Sequence, residues 1–493
     1  MVIGMNYLLI LSIIGKLLFS EGILLTVPLA VALLSYESPI PFLIPFLVLV
    51  TIGLLLMRIK PKSNVLYAKD GFVIVASAWF LMSLFGAIPF ILSGDIPRFV
   101  DALFETISGF TTTGSTILTD VESLSRGGLF WRSFTHWIGG MGVLVFVMAV
   151  LPMNDGHGMH ILRAEMPGPT VGKLVSRIGD TAKILYLIYF VMTLVLIVLL
   201  MFGGMSLFDA CIHALGTAGT GGFSSRALSI GAYDSAYVDI VTSIFMLLFG
   251  VNFNLYYLIL LKRVKEAFHS EEMLTYFAIV AASTLAIAFN IRNIYGSSLT
   301  CLRHAFFQVS SIITTTGYST VDFNTWPVFS KCILVVLMFI GGCAGSTAGG
   351  LKVIRICVLL KTSISDFKKI LYPKTVSIVR IDGKVLSESF IRQVHTYFFV
   401  YSLIFTLSVI FLSIEGFDIV TTFTAVASGF NNIGPGLELV GPMGSFADFS
   451  DIGKLLISFD MLAGRLEIYP LFIFFSKDIW KNILVRKRTE ISM

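Results

Sequence analysis

The chain has 493 residues, 56% of them hydrophobic and only 13% charged, with a formal net charge of +5. A soluble domain of this length would hold about twice that share of charge. The composition therefore excludes a soluble enzyme or binding module and describes a polytopic membrane protein with almost no aqueous domain. Five cysteines (Cys211, Cys301, Cys332, Cys343, Cys357) lie in or beside apolar runs, with no CxxC pair. That pattern fits small core packing, not disulfides or a metal site.

From the amino terminus, the first apolar run is too long for a signal peptide and has no basic cluster before it, so it reads as an uncleaved span. Spans at about 6–34 and 40–57 make an amino-terminal pair within 1–70. Four units follow, at 71–182, 183–271, 272–391 and 392–493. Each has an apolar helix, a short re-entrant run and a second apolar helix. The outer helices are expected at 71–92 and 130–151, 183–203 and 237–261, 272–291 and 328–360, and 392–413 and 452–475. The re-entrant runs begin near Asp101, Asp209, Arg303 and Thr421 and are too short to cross a bilayer core of about 30 Å. The fold class is thus all-α, with four helix–loop–helix units in pseudo-fourfold arrangement around one pore, plus the amino-terminal pair.

Each re-entrant run ends in a related turn: Ser108-Gly109-Phe110-Thr111-Thr112-Thr113-Gly114, Gly216-Thr217-Ala218-Gly219-Thr220-Gly221-Gly222, Ser311-Ile312-Ile313-Thr314-Thr315-Thr316-Gly317 and Ser428-Gly429-Phe430-Asn431-Asn432-Ile433-Gly434. One Thr-Thr-Gly is an ordinary turn. Four copies at matched offsets, roughly a hundred residues apart, indicate a repeated device. Irregular backbone at membrane depth must be buried in protein or line water, so the four turns should face one aqueous path. A cation sheds its water only where fixed oxygens replace it, and uncharged carbonyls let it leave again. Pointing successive carbonyls inward needs backbone angles that glycine permits. Gly114, Gly222, Gly317 and Gly434 are therefore the expected centre of a selectivity filter. Thr112, Thr113, Thr220, Gly221, Thr315, Thr316, Asn432 and Ile433 supply further carbonyls or rigidity. K+ would bind at these residues only, as the transported ion, with no catalytic or covalent cofactor.

The segments 58–70, 152–183, 262–272, 352–392 and 477–490 carry Lys and Arg over Asp and Glu by about two to one, and the alternate connectors show the reverse. Basic loops mark the cytoplasm, so both termini are expected there and the re-entrant runs enter from outside. The run 341–350 holds five glycines (Gly341, Gly342, Gly345, Gly349, Gly350) with Ser346 and Thr347. It should break its span at membrane depth; close helix packing through small residues is the other reading. Arg465 lies inside the last apolar run. It either faces a water-filled cavity, pairs with Glu467 or Asp460, or snorkels to the cytoplasm. Lys352 and Arg355 either receive a cytoplasmic signal or fix topology. The basic set Lys361, Lys368, Lys369, Lys374, Arg380 and Lys384 suits an acidic docking surface or anionic lipid. His136 reads as a hydrogen-bonded helix histidine, and His157 and His160 are assigned nothing.

The sequence resembles the TrkH-type potassium-translocating subunits of the Trk/Ktr/HKT superfamily over essentially its whole length. The carrying stretches are 108–114, His136-Trp137-Ile138-Gly139-Gly140-Met141-Gly142, Arg163-Ala164-Glu165-Met166-Pro167-Gly168-Pro169, 341–355, 432–437 and Gly464-Arg465-Leu466-Glu467. The resemblance implies potassium uptake across the bacterial cytoplasmic (inner) membrane, and a homodimer with one pore per protomer. It also implies a cytoplasmic ring of nucleotide-binding regulatory subunits (RCK/KTN-type, TrkA-like). It makes 341–350 the intramembrane gating loop, with Arg465 beside it, and Gly114 at the first filter position implies potassium over sodium. A K+/H+ or K+/Na+ symporter is the alternative; intramembrane carboxylates that would couple ions are few, namely Glu105, Asp460 and Glu467. No enzyme motif appears, and nothing points to nucleic acid.

Overall fold

The computed structural model describes residues 5–61, 63, 67–142, 178–374 and 378–476. The stretch 163–169, His157 and His160, the lower part of the 130–151 helix, most of the 152–183 loop and the 477–490 tail lie outside the described residues.

The amino-terminal pair is α1 (Tyr7–Leu24), continued by α2 (Thr26–Leu34) as one 28-residue span, and α3 (Ile40–Met57). The Asn6 side chain accepts from the Leu9 N–H and starts α1; Pro39 and Pro41 start α3, where a missing N–H is no loss. The two helices meet along small residues: a Cβ on Gly15 would lie 3.0 Å from the Gly53 carbonyl oxygen.

The four units follow in order. The first holds α4 (Ala68–Gly86), α5 (Ile88–Ser93), α6 (Phe99–Phe110) and α7 (Arg126–Gly140). The second holds α8 (Ile178–Phe202), α9 (Leu207–Gly219), α10 (Ala236–Phe249) and α11 (Phe253–Leu260), with the short α12 (Val264–Phe268) leading out. The third holds α13 (Glu271–Asn290), α14 (Ser298–Ile313), α15 (Val328–Ile340) and α16 (Val353–Leu371), then a two-stranded hairpin of β1 (Arg380–Ile381) and β2 (Lys384–Val385). The fourth holds α17 (Glu388–Leu412), α18 (Ile419–Asn431), α19 (Asp451–Arg465) and α20 (Tyr469–Phe475). Among the described residues six helices are long and apolar enough to cross a membrane, or up to seven if a bent pair counts as one span.

The helices α6, α9, α14 and α18 are too short to cross and are buried at their carboxyl ends. The second outer helix of units two, three and four does not run straight. Continuous helices over 237–261 and 452–475 are not what forms. α10 and α11 meet at 88° across Gly250-Val251-Asn252, where the Asn252 side chain caps α11 by accepting from the Asn254 N–H. α19 stops at Arg465, and Glu467 and Ile468 take positive φ (+53° and +70°) before α20. Hydropathy registers an apolar run and is blind to such breaks; at the first, Gly250 O and the Phe253 N–H find partners in unit three, and at the second the Glu467 and Ile468 N–H groups close back onto Gly464 and Ala463.

Candidate functional site

Each short helix ends in the same closure. The Thr113 N–H donates to the Ser108 carbonyl (2.9 Å), Gly221 to Gly216 (2.9 Å), Thr316 to Ser311 (2.8 Å) and Ile433 to Ser428 (3.0 Å). A shorter-range bond accompanies each, from Thr112 to Gly109, Thr220 to Thr217, Thr315 to Ile312 and Asn432 to Gly429. This is the Schellman pattern, which ends a helix through a residue at positive φ. Those residues are Thr112 (+57°), Thr220 (+56°), Thr315 (+54°) and Asn432 (+56°). Three are β-branched, for which the left-handed region is a genuine outlier. The surroundings must over-determine them, as strained functional sites require.

Two residues further on, Gly114, Gly222, Gly317 and Gly434 again have positive φ (+80°, +80°, +83° and +105°). Their neighbours show how the turns meet. A Cβ on Gly114 would strike the carbonyl oxygen of Gly221, one on Gly222 that of Thr316, and one on Gly317 that of Ile433. A Cβ on Gly434 would come within 3.0 Å of the Thr113 carbonyl oxygen. Each glycine thus faces the carbonyl that precedes the glycine of the next unit, and the sequence of contacts closes on itself after four steps. All four glycines line the floor of an outer vestibule of about 340 Å³. The negative ends of the four short helices point at this ring and favour a cation there.

Buried side chains brace the ring. Glu105 on α6 pairs with Arg132 on α7 at 2.7 Å, both essentially unexposed, and accepts from the Thr116 hydroxyl and the Ile117 N–H. The Arg132 guanidinium lies 3.9 Å over the Phe223 ring. His136 bonds the Gly109 carbonyl through Nδ1 (2.7 Å) and accepts from the Phe223 N–H through Nε2 (3.3 Å), the helix-histidine role expected of it. Tyr318 donates to the carbonyls of His213 and Phe223 at 3.2 Å. The symmetry is closer to twofold in the side chains: hydroxyl pairs Thr111–Thr113 and Thr314–Thr316, each at 2.8 Å, occur in units one and three. In unit four Asn432 Nδ2 instead donates to the Thr113 hydroxyl at 2.9 Å.

Directly below, the segment between α15 and α16 crosses the centre. Its Gly349 N–H donates to the Thr315 hydroxyl (2.7 Å), and a Cβ on Gly349 would strike the Asn431 carbonyl. The break between α10 and α11 receives it: Cys343 N–H donates to Gly250 O (2.9 Å), Thr347 Oγ1 to Phe249 O (3.2 Å), and Phe253 N–H to Gly345 O (3.0 Å). Arg465 donates to Thr347 O (2.8 Å) and to the Gly139 and Gly140 carbonyls (2.5 and 2.8 Å). It therefore ties the loop to units one and four, and its guanidinium lies 5.8 Å over the Trp79 ring. Glu467 pairs with Arg355, whose guanidinium stacks 4.2 Å over Tyr397, and Asp460 accepts from Ser408 at 2.7 Å. The Lys352 ammonium bonds the Ala348 carbonyl. Gly345, Ser346, Gly349, Gly350, Lys352 and Arg465 line an inner cavity of about 60 Å³, while Gly341 and Gly342 pack at the loop's entrance.

A fold of four quarter-units, each sending a short helix and a turn to one ring of backbone oxygens, defines a membrane pore protein of the cation-conducting kind. The chain belongs to the TrkH family of cation transport proteins, whose model matches residues 42–485. It is 37% identical over 488 residues to the Trk system potassium uptake protein TrkH of Salmonella typhimurium, covering 97% of this chain and all of that one. It is 34% identical over 478 residues to the Trk system potassium uptake protein TrkG of Escherichia coli, covering 95% of this chain and 97% of that one. The crystal structure of the potassium transporter TrkH from Vibrio parahaemolyticus superimposes with a TM-score of 0.86 at 33% identity, covering 97% of this chain and all of that one.

Reading the sequence missed Arg132, the break at 250–252 and Glu272, which holds the loop from outside. Arg132 had a signal, an arginine in the interior of the helix that follows the first turn. The other two had none nearby, because their partners lie far along the chain.

Proposed function

We propose that the protein carries out potassium uptake across the bacterial cytoplasmic membrane through a channel-like pore. The ion is stripped of water by the carbonyls of Thr113, Gly221, Thr316 and Ile433, with Thr112, Thr220, Thr315, Asn432 and the four glycines completing the filter. The observation that carries this reading is the closed four-step contact between each filter glycine and the next unit's carbonyl. Neutral oxygens in a fixed ring bind a monovalent cation and release it. The loop 341–350 and Arg465 act as the gate. The membrane potential drives entry, at about 2.3 kcal/mol per charge per 100 mV. The basic loops set both termini in the cytoplasm. A homodimer and a cytoplasmic TrkA-like ring of nucleotide-binding subunits, acting through the loop that includes Lys352 and Arg355, complete the working assembly.

Uncoupled transport is the reading we favour: of Glu105, Asp460 and Glu467, the first and last are held in ion pairs, and Asp460 accepts from the Ser408 hydroxyl. Reversal potentials in a reconstituted bilayer test it. A Nernstian potassium response unmoved by pH or sodium gradients is expected; a potential that follows either gradient would establish a symporter.

A further inference from the structure

The loop beneath the filter is held at its base by a carboxylate from a different element. Glu272, in the first turn of α13 and 6% exposed, accepts the Ala344 N–H (2.7 Å) and the Ile354 N–H (3.2 Å). Ala344 lies near the entrance of the loop and Ile354 just past its exit, so one side chain staples the two ends together. Both bonds go to the same oxygen, Oε1. Beside it, the Val353 N–H donates to the Gly342 carbonyl (3.0 Å) and joins the same two ends.

The turn of α13 that carries Glu272 is itself held from the cytoplasmic side. Ser270, at its N-cap position, makes no capping bond through its side chain. The Glu271 N–H is met instead by Asp382 Oδ1 at 2.7 Å. Asp382 (φ +49°) and Gly383 (φ +73°) form the two-residue tip of the hairpin between β1 and β2, the conformation that Asp-Gly favours. Lys361 joins the same corner, paired with Glu271 and donating to the Arg380 carbonyl at 2.9 Å. Ile381 of the hairpin packs in the same apolar cluster as Met273, Cys343, Ala344 and Ile354. An unbroken series of contacts therefore runs from an exposed cytoplasmic hairpin to the base of the loop.

We propose that Glu272 is a positioning residue for the gate, and that the hairpin, through Asp382, is the cytoplasmic handle that sets it. Lifting the hairpin uncaps α13, loosens its first turn and releases Ala344 from Ile354. The inference rests on the reading of 341–350 as the gate.

The test is potassium flux into liposomes holding the full-length chain as wild type, Glu272→Ala, Glu272→Gln, Asp382→Gly and Arg465→Ala, with sodium flux in parallel. Glycine at 382 keeps the positive φ and removes only the cap. Glu272→Ala should raise potassium flux about tenfold with its preference over sodium kept, the loss of two bonds to a charged acceptor. Glu272→Gln should stay near wild type, since a single amide oxygen can accept both N–H groups, and Asp382→Gly should raise flux less. Hydrogen exchange adds a readout that survives poor folding at position 272: in Asp382→Gly, peptides covering 341–351 should exchange faster. If Arg465→Ala raises flux while Glu272→Ala does not, the gate stands and this inference falls. If neither does, both fall. Unchanged exchange across 341–351, or a Glu272→Gln variant as leaky as Glu272→Ala, would also overturn it.

Discussion

The ring of turns and the loop beneath it are built on opposite plans. The ring repeats one backbone device four times: the same pair of hydrogen bonds, the same left-handed residue, and a glycine against its neighbour's carbonyl. The loop occurs once, in the third unit; the backbone of the α10–α11 break receives it, and side chains from outside the loop, Thr315, Arg465 and Glu272, fasten it. Surrounding an ion needs oxygens on every side, and backbone supplies them identically. Blocking a path needs an obstacle from one side only, attached by bonds that can be exchanged. A region fixed by its own backbone should fail when altered, and a region held by borrowed side chains should open.

Altering the ring has the largest expected effect. Gly222→Ala places a methyl group against the Thr316 carbonyl at a φ of +80°. Potassium flux in liposomes should fall on the order of a hundredfold or more, since positive φ and steric overlap act together. Next comes the brace behind the ring. Arg132→Met leaves Glu105 buried without its partner and should cost about 3–5 kcal/mol. The loss would appear as a lower unfolding temperature in detergent. Glu105→Gln on top of it should restore much of that loss, because no buried charge then remains.

The loop answers in the opposite direction. Arg465→Ala removes its bonds to Thr347, Gly139 and Gly140. Flux should rise by about tenfold with the preference for potassium intact. A fall in flux with loss of the folded peak in gel filtration would assign Arg465 a structural role instead. The smallest effect is expected at the contact between the two regions. Thr315→Val removes the hydroxyl that accepts from the Gly349 N–H, one neutral hydrogen bond of about 1 kcal/mol, and should raise flux a few-fold. Thr315→Ser, which keeps the hydroxyl, should not.

The same contrast explains what could be read from the sequence. The ring of four turns was legible because its requirements are local: a residue that ends a helix and a glycine at positive φ two positions later leave a string that recurs, even when Asn432-Ile433 replaces Thr-Thr. The break at 341–350 was legible for the same reason. The bend at Gly250-Val251-Asn252 was not. A single glycine in an apolar run is compatible with a helix, and the bend is fixed by Cys343, Gly345 and Thr347, roughly a hundred residues away. Arg465 was legible as a costly charge that needs a cavity or a partner, and it does line the inner cavity, but its role as a donor to carbonyls of two other units was not legible. The hairpin left a readable Asp-Gly signal, yet its role as a cap on α13 depends on a contact 111 residues distant.

Gly114→Ser bears most directly on the claim that main-chain oxygens from four turns select the ion. The variant is reconstituted in liposomes, and potassium, rubidium and sodium fluxes are compared with those of the wild type. A side chain at Gly114 presses on the Gly221 carbonyl and distorts one side of the ring, so potassium flux should fall as it does for Gly222→Ala, and the flux that remains should no longer discriminate potassium from sodium. Selectivity equal to wild type, with full potassium flux, would contradict the account.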